Sequence, residues 1–214
     1  MFMRITKKVK DEMIAILGDV YKDTKPALIF RNPFELLIAV ILSAQCTDKR
    51  VNVTTARLFA KADTPEAILS LGVEQLEDEI RDCGLFRNKA KNIIATCQKL
   101  CSDYHGEVPS EFDELLKLPG VGRKTANVVS SIAFGRPAIA VDTHVFRVAN
   151  RLKLAVGKTP DEVEKGLQKA IPMDKWSDAH HWLIWHGRRI CRARNPLCGQ
   201  CPLNHLCPSA SVKD

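Results

Sequence analysis

The amino-acid sequence predicts an all-α protein made of two helical lobes. Apolar residues recur with the three- and four-residue spacing of amphipathic helices, and capping residues, prolines and glycines separate these stretches. No stretch has the alternation of a half-buried strand, and no internal repeat or low-complexity segment occurs. A chain of 214 residues with 45% hydrophobic residues can bury a large core, and its length suits one large domain or two small ones.

The N-terminal part predicts one surface helix and one buried helix. An amphipathic helix is predicted from Ile5 to Leu17, and we expect it to pack against the C-terminal part of the chain. Asn32 can cap the next helix, Pro33 fits its first position, and Glu35 can complete a capping box. This second helix is apolar on all sides, so we expect it to be buried.

The middle of the chain predicts four more helices joined by short connections. They are predicted over Thr47 to Phe59, Pro65 to Leu69, Glu74 to Cys83 and Asn88 to Tyr104. Gln45 lies on the connection before the first of them, where a polar side chain can reach outward. Leu85 lies in another connection, and it either folds back into the core or stays exposed for a role of its own.

A tight turn between two short helices is predicted at Pro119-Gly120-Val121-Gly122. Ser110 can cap a helix over Phe112 to Lys117, and the second helix is predicted from Lys124 to Phe134. The two glycines let the backbone approach a ligand closely, and the free amides at the start of the second helix favour a phosphate. Such a hairpin would hold a nucleic-acid backbone without reading sequence. The alternative is a plain connection between helices.

Lys124 is a candidate group for chemistry, and Asp142 stands at a later helix start where its residue type alone indicates a cap. Lys124 falls in the first turn of a helix, where the amides and the helix dipole disfavour a protonated ammonium and so favour a nucleophilic amine. Its alternative is a solvated surface lysine. Asp142 is placed to cap a helix that continues to about Leu152, so its alternative is a purely structural cap.

The C-terminal third predicts two further helices and a cysteine cluster. One helix is predicted to begin at Thr159-Pro160 and to end before Pro172, and a long one runs from Asp178 to about Cys191. The second contains three histidines that lack a ligand-like partner spacing and are interpreted as buried supporting residues: His180, His181 and His186.

The charge indicates an anionic partner. The net charge is +7 and the pI is about 9.0, which is typical of proteins that bind nucleic acid or an acidic membrane surface. Met1 to Lys10 carries lysines and no apolar run follows, so we expect no secretory signal. The longest apolar stretch, Leu36 to Leu42, is too short to span a bilayer. We therefore expect an intracellular, cytoplasmic protein.

The eight cysteines fall into two groups. Four scattered ones are interpreted as small apolar residues of buried helix faces: Cys46, Cys83, Cys97 and Cys101. Four others form a C-terminal cluster with intervening gaps of six, two and five residues: Cys191, Cys198, Cys201 and Cys207. Four thiolates in a short loop can bind one zinc ion or hold a four-iron cubane, and the spacing alone leaves this choice open.

These motifs together resemble the helix-hairpin-helix DNA glycosylases of base excision repair, and most closely the endonuclease III family. The resemblance covers nearly the whole chain in six ordered segments. They are residues 33–39 with 42–48, residues 84–90, residues 106–109, the hairpin, the Val141-Asp142-Thr143-His144 segment and the cysteine cluster.

The resemblance implies a fold, a cofactor and a partner. The helical-barrel domain with the hairpin would span residues 26–136, and residues 1–25 plus 137–214 would form a discontinuous domain, with the active-site cleft between the lobes. The cysteines at 191–207 would hold a [4Fe-4S] cluster, and a monovalent cation would bind the carbonyl oxygens of Leu116, Leu118 and Val121. The partner would be damaged duplex DNA, bound by a monomer at the nucleoid.

The resemblance also implies roles for particular residues. Lys124 would attack the sugar C1′ and form a Schiff base, while Asp142 would assist proton removal or stabilise the cationic sugar. Leu85 would wedge into the duplex, and Gln45 would fill the space left by the extruded base. Further DNA contacts are expected from Gly120, Val121, Gly122, Arg123, His144 and Arg147.

The implied activity is a bifunctional glycosylase and AP lyase that removes oxidised pyrimidines and cuts the strand 3′ to the abasic site. One alternative is a mismatch-specific glycosylase, acting on thymine, uracil or adenine, but such relatives carry other residues in place of Lys124. Another is a non-catalytic DNA-binding hairpin protein, which the pairing of Lys124 with Asp142 disfavours.

Overall fold

A computed structural model describes residues 5–24 and 26–211 of the chain. Across these residues the regular structure consists of ten α-helices and two short 3₁₀ segments, without a strand, so the all-α prediction is confirmed there. The chain divides into two compact units. One is Pro26–Gly135, and the other combines Met1–Lys25 with Arg136–Asp214. Residues 1–4, 25 and 212–214 of the expected discontinuous domain lie outside the described residues.

The helices are numbered in chain order. They are α1 (Lys7–Tyr21), α2 (Pro33–Ser43), α3 (Asp48–Phe59), α4 (Pro65–Glu79), α5 (Phe86–Asp103), α6 (Phe112–Leu115), α7 (Arg123–Phe134), α8 (Thr143–Leu152), α9 (Pro160–Ala170) and α10 (Trp176–Arg189). The 3₁₀ segments are Met173–Lys175 and Cys198–Gln200.

Helix α2 is the centre of the unit Pro26–Gly135. Residues 34–42 of this helix are all buried, and it packs against α3, α5 and α7, as expected for a helix that is apolar all round. Asn32 accepts a hydrogen bond from the Glu35 amide, which confirms the predicted cap. The predicted capping box is wrong in detail: the Glu35 carboxylate binds the amide and guanidinium of Arg31 rather than the amide of Asn32.

The segment between α3 and α5 follows the predicted order with shifted boundaries. Helix α4 contains a kink at Gly72, whose φ of 74° and ψ of 173° are not helical, so it consists of two pieces as predicted. The second piece ends at Glu79 rather than Cys83. Helix α5 begins earlier than predicted, at Phe86, because Leu85 takes a left-handed conformation that starts the helix directly after the turn.

The other unit is built from α1, α8, α9 and α10. Helix α1 packs against α9 and α10, which confirms the predicted association with the C-terminal part. It runs from Lys7 to Tyr21 because Thr6 caps its start and the buried Tyr21 continues the apolar face beyond the predicted end. The predicted caps Asp142 and Thr159 are confirmed at the starts of α8 and α9.

The scattered cysteines only partly match their prediction. Cys83 and Cys97 are buried, whereas Cys46 and Cys101 are half-exposed. Cys46 and Cys83 also lie in connections between helices rather than on helix faces. None of the helices in the described part of the chain has the length and apolar character needed to cross a membrane.

Candidate active site and metal centre

The hairpin is formed by α6, a tight turn and α7, and helix α5 supports it. Gly120 has a φ of +75°, and a Cβ atom at this position would lie 2.8 Å from Cβ of Asn92 on α5. The Thr96 hydroxyl on the same helix donates a 2.7 Å hydrogen bond to the carbonyl oxygen of Pro119. Only glycine fits the first hairpin position, and the turn is held firmly against α5.

The first helix of the hairpin is shorter than predicted. It covers Phe112–Leu115, and its N-cap is Glu111 rather than Ser110. Two successive tight turns follow Leu115 in place of further helix. In the first, the Leu118 amide donates to the carbonyl oxygen of Leu115, and in the second the Val121 amide donates to that of Leu118.

Lys124 is the second residue of α7, in the first turn of the helix as the sequence predicts, and its side chain is exposed. The N-cap is Gly122, which supplies no side-chain cap, so no side-chain group covers the first amides of the helix from this position. A Cβ atom at Gly122 would meet no protein atom within 4 Å. The protein itself therefore gives no steric reason for glycine here, whereas a closely approaching ligand would.

Asp142 begins α8 in the second unit. Its Oδ1 atom accepts a 2.7 Å hydrogen bond from the Val145 amide, and the Phe146 amide binds its carbonyl oxygen at 2.8 Å. The residue is half-buried. The cap therefore orients the carboxylate at the start of α8.

His144 and Arg147 lie on the first turns of α8. Burial lowers the pKa of His144. The Arg147 guanidinium donates to the carbonyl oxygens of Cys191 and Gly187 at 3.1 and 3.0 Å, and it lies 3.2 Å from Nδ1 of His144. Arg147 thus ties α8 to the end of α10 and to the start of the cysteine loop.

Gln45 and Leu85 lie on two neighbouring loops of the unit Pro26–Gly135. Both residues have left-handed backbones, with φ of 53° and 59°, and both are exposed. The Leu85 side chain is 57% exposed, so it does not fold back into the core. A Cβ atom at Gly84 would lie 3.4 Å from the carbonyl oxygen of Gln45, which shows that the loops are adjacent.

The four clustered cysteines border one cavity of about 140 Å³. His186, Arg151 and Leu152 also line it. Across the described residues, no set of three or more His, Cys, Asp or Glu side chains is placed to hold a single metal ion. The thiols instead surround a shared space, an arrangement that fits a polynuclear cluster with one cysteine on each iron.

Hydrogen-bond donors point at three of the four sulfur atoms. The guanidinium Nη1 of Arg151 lies 3.5 Å from Sγ of Cys191, and the Ser211 hydroxyl lies 3.7 Å from Sγ of Cys198. Nε2 of His186 lies 3.7 Å from Sγ of Cys201. Donors around ligand sulfurs stabilise the thiolates of a metal cluster, so these residues fit the group that the family resemblance implies.

Two of the four thiols lie in surroundings that disfavour their charged form. Burial raises the pKa of the Cys201 and Cys207 thiols. Metal ligation needs thiolates, so iron has to displace these protons. Four exposed arginines surround the loop and can offset the negative charge of a thiolate cluster: Arg188, Arg189, Arg192 and Arg194.

Comparison with known families agrees with this arrangement. Residues 38–173 match the family model described as the HhH-GPD superfamily base excision DNA repair protein. Residues 191–207, which span the four cysteines, match the iron-sulfur binding domain of endonuclease III. The fold and the cysteine loop therefore define a helix-hairpin-helix DNA repair protein with an iron–sulfur domain.

Individual relatives indicate the family within this superfamily to which the chain is similar. The chain is 54% identical over 200 residues to endonuclease III of Rickettsia conorii, covering 94% of this chain and 95% of the relative. It is 52% identical to a solved trapped endonuclease III–DNA covalent intermediate, an estranged-adenine complex, with a TM-score of 0.93 and coverage of 96% and 97% of the two chains. A thermostable thymine-DNA glycosylase is 26% identical, with a TM-score of 0.86 and coverage of 95% and 97%.

The chain belongs to the endonuclease III family. Members of this family are DNA glycosylases and AP lyases of base excision repair, and this is the activity of the chain. Its partner is DNA, and the domain at 191–207 binds a [4Fe-4S] cluster.

Four residues near the candidate sites could not be identified from the sequence. Tyr21, Arg151 and Ser211 lie next to the cysteine loop or its histidine, and Lys89 lies beneath the two loops that carry Gln45 and Leu85. No local signal identifies their contacts, because each contact joins residues far apart in the sequence. Only Lys89 falls within a segment that resembles the family, residues 84–90, and that resemblance gives it no role.

Proposed function

We propose that the chain removes oxidised pyrimidines from duplex DNA with Lys124 as the nucleophile, and then cuts the strand on the 3′ side of the abasic site. The observation that carries this proposal is the exposed Lys124 amine at the start of α7, directly after the hairpin turn. The trapped covalent DNA complex of a relative that is 52% identical supports a covalent mechanism.

The reaction breaks one carbon–nitrogen bond and forms another. The Nζ lone pair of Lys124 attacks the sugar C1′, and the damaged base leaves with the electron pair of the glycosidic bond and takes up a proton. Opening of the sugar ring gives a Schiff base between Lys124 and C1′. Loss of a C2′ proton then expels the 3′ phosphate by β-elimination, and hydrolysis of the Schiff base frees the enzyme.

Asp142 supplies the negative charge that this sequence of steps requires. A carboxylate oriented by the cap of α8 can accept a proton released from Lys124, or can stabilise the cationic sugar as the glycosidic bond breaks. The hydrogen bond from the Val145 amide uses one lone pair of Oδ1, so both carboxylate oxygens keep acceptor capacity for this task.

The hairpin binds the phosphate backbone of the DNA. Gly120 and Gly122 leave the main chain on either side of Val121 accessible, and the first amides of α7 offer hydrogen bonds to a phosphate. Arg123 is exposed beside them and adds charge. A monovalent cation held by the carbonyl oxygens of Leu116, Leu118 and Val121 would add a second positive contact to the same phosphate.

Extrusion of the damaged base is assigned to the two adjacent loops. The exposed Leu85 wedges between bases, and Gln45 occupies the space that the extruded nucleotide leaves. His144 is proposed as a further DNA contact. Arg147 is proposed with it, although its guanidinium is largely engaged by protein carbonyls and would act mainly by holding α8 in place.

The cluster would be held by Cys191, Cys198, Cys201 and Cys207, and its role would be to shape a basic surface. Thiolate ligation would join four points of a loop that has few apolar residues of its own, and so would supply folding energy that a core supplies elsewhere. The exposed arginines around the loop then lie on an ordered surface that can contact phosphates.

Borohydride trapping on a panel of duplexes tests the proposal. Reduction of the Schiff base fixes the protein to the DNA and reports substrate and mechanism together. We expect trapping on duplexes with an oxidised pyrimidine or a preformed abasic site. Trapping on the abasic duplex alone would contradict the substrate assignment, and efficient trapping on a thymine mismatch would show that mismatched thymine is a substrate of this chain.

A further inference from the structure

Lys89 is a buried lysine beneath the loops that carry Gln45 and Leu85. It lies in the first turn of α5 and is 5% exposed. Its Nζ atom donates a 2.9 Å hydrogen bond to the carbonyl oxygen of Leu42, in the last turn of α2. The carbonyls at a helix C-terminus lack intrahelical partners and carry partial negative charge, so they are suited to receive an ammonium.

Burial of this amine costs desolvation free energy, which a specific interaction must offset. Transfer of an ammonium out of water is unfavourable unless strong partners replace the water, and burial lowers the pKa of Lys89 accordingly. An apolar side chain of similar length would fill the same space without this cost. A lysine is therefore expected here only if its hydrogen bond fixes something that packing alone leaves free.

The contacts of Lys89 reach both loops. Its side chain holds the carbonyl three residues before Gln45. Its amide makes the ordinary helical hydrogen bond of 3.1 Å to the carbonyl oxygen of Leu85, so Lys89 lies in the turn that directly follows the Leu85 loop. The two loops meet beside this contact, since a Cβ atom at Gly84 would lie 3.4 Å from the carbonyl oxygen of Gln45. One residue thus joins the end of α2 to the start of α5 at the point where the loops meet.

We propose that Lys89 is a positioning residue that holds the Gln45 loop and the Leu85 loop at a fixed separation, so that both side chains enter the duplex together. Because Gln45 and Leu85 both have left-handed backbones, neither loop is fixed by regular helix geometry at its tip. The hydrogen bond to Leu42 supplies the missing constraint. This inference rests on the proposed insertion of the two side chains into DNA.

The test compares Lys89→Met with Lys91→Met. Lys91 lies on the same helix and is exposed, so its substitution removes the same charge without touching the loops. We expect Lys89→Met to keep its fold and its affinity for undamaged duplex, while single-turnover base removal slows roughly tenfold to a hundredfold, as for a small misplacement of reacting groups. Lys91→Met should match the wild type. Equal base removal in all three proteins would overturn the proposal.

Hydrogen exchange gives a readout that does not depend on DNA. In Lys89→Met the amides at 44–46 and 84–86 should exchange faster than in the wild type, while those of the central turns of α5 should not change. Unchanged exchange in either loop would contradict a coupling role. If Lys89→Met fails to fold, Lys89→Gln, which keeps a shorter donor, is measured in the same way with the same expected outcomes.

A double-mutant comparison separates this inference from the proposed insertion. If Lys89 acts through the loops, its substitution should slow base removal less in a Leu85→Ala background than in the wild type. Fully multiplicative losses would show that Lys89 acts elsewhere. If Leu85→Ala and Gln45→Ala alone remove bases at the wild-type rate, the insertion proposal fails, whereas the exchange experiment still reports on Lys89.

Discussion

The Nε2 atom of His186 lies 3.7 Å from the Sγ atom of Cys201. On the opposite side of the ring, Nδ1 lies 3.1 Å from the buried Tyr21 hydroxyl. A thiolate ligand has only lone pairs to offer, so Nε2 must carry the proton that faces the sulfur. Burial lowers the pKa of His186 to about 4 and raises the pKa of Tyr21 to about 12. A neutral ring therefore accepts from the Tyr21 hydroxyl and donates to Cys201.

We predict that His186→Phe lowers the reduction potential of the cluster. A hydrogen bond to a ligand sulfur stabilises the more electron-rich, reduced cluster, so its loss favours the oxidised form. Tyr21→Phe should shift the potential in the same direction by a smaller amount, because the imidazole loses its polarising partner but keeps its own hydrogen bond. Voltammetry of the intact protein measures both shifts.

His181→Phe is the control, since His181 lies on the same helix and makes no hydrogen bond to a cysteine among the described residues. Its potential should equal that of the wild type. Equal potentials in the His186 and His181 variants would mean that the 3.7 Å contact does not act on the cluster.

The two hairpin glycines should respond differently to alanine. Gly120→Ala places a side chain at a φ of +75° and against Asn92, so we expect a loss of about 1–3 kcal/mol in the free energy of unfolding. Gly122→Ala meets no protein atom, so its stability loss should stay below about 1 kcal/mol while its affinity for duplex DNA falls.

Thermal unfolding and duplex titrations at two salt concentrations measure the two effects. The affinity of the wild type should fall steeply as salt rises, because phosphate contacts release counterions. Wild-type duplex affinity in Gly122→Ala would contradict close contact between this glycine and the DNA backbone.

Local signals in the sequence predicted the helix starts well. The Asn32-Pro33 pair and Asp142 mark the starts of α2 and α8, because a capping residue acts within its own turn. Contacts between distant residues could not be predicted in this way. The Lys89–Leu42 and His186–Cys201 contacts join residues 47 and 15 positions apart, and only the folded chain brings them together.

The exposure of Leu85 could also not be predicted from the sequence alone. A leucine after a glycine is equally compatible with a loop that folds inward and with one that projects, and the left-handed backbone at φ 59° decides between them. The length of α6 is a similar case. A short polar helix has little intrinsic stability, and the tight turns that end it at Leu115 depend on packing of the hairpin against α5.

Leu85→Ala should slow base removal while leaving the affinity for undamaged duplex nearly intact. The side chain is 57% exposed, so its truncation leaves no cavity and costs little stability. Single-turnover excision and duplex titration measure the two quantities. Parallel losses in excision and in thermal stability would identify Leu85 as a core residue instead.

Asp142→Asn should keep α8 and slow base removal by roughly a hundredfold or more, the effect of losing a positioned acid–base group. Asparagine can still accept the hydrogen bond from the Val145 amide, so the cap survives. Strand cleavage at a preformed abasic site should be affected less, because the glycosidic bond is already broken there. Excision at the wild-type rate would remove Asp142 from the mechanism.

Borohydride trapping of Lys124→Ala tests whether Lys124 is the nucleophile, with Lys91→Ala as an exposed-lysine control in the same unit. Because Lys124 lies at an exposed helix start, its variant should fold normally and bind undamaged duplex as the wild type does. Without the Nζ atom no Schiff base can form, so we predict that the trapped adduct disappears while Lys91→Ala still gives the full yield. An adduct at wild-type yield from Lys124→Ala would contradict the assignment of Lys124 as the nucleophile.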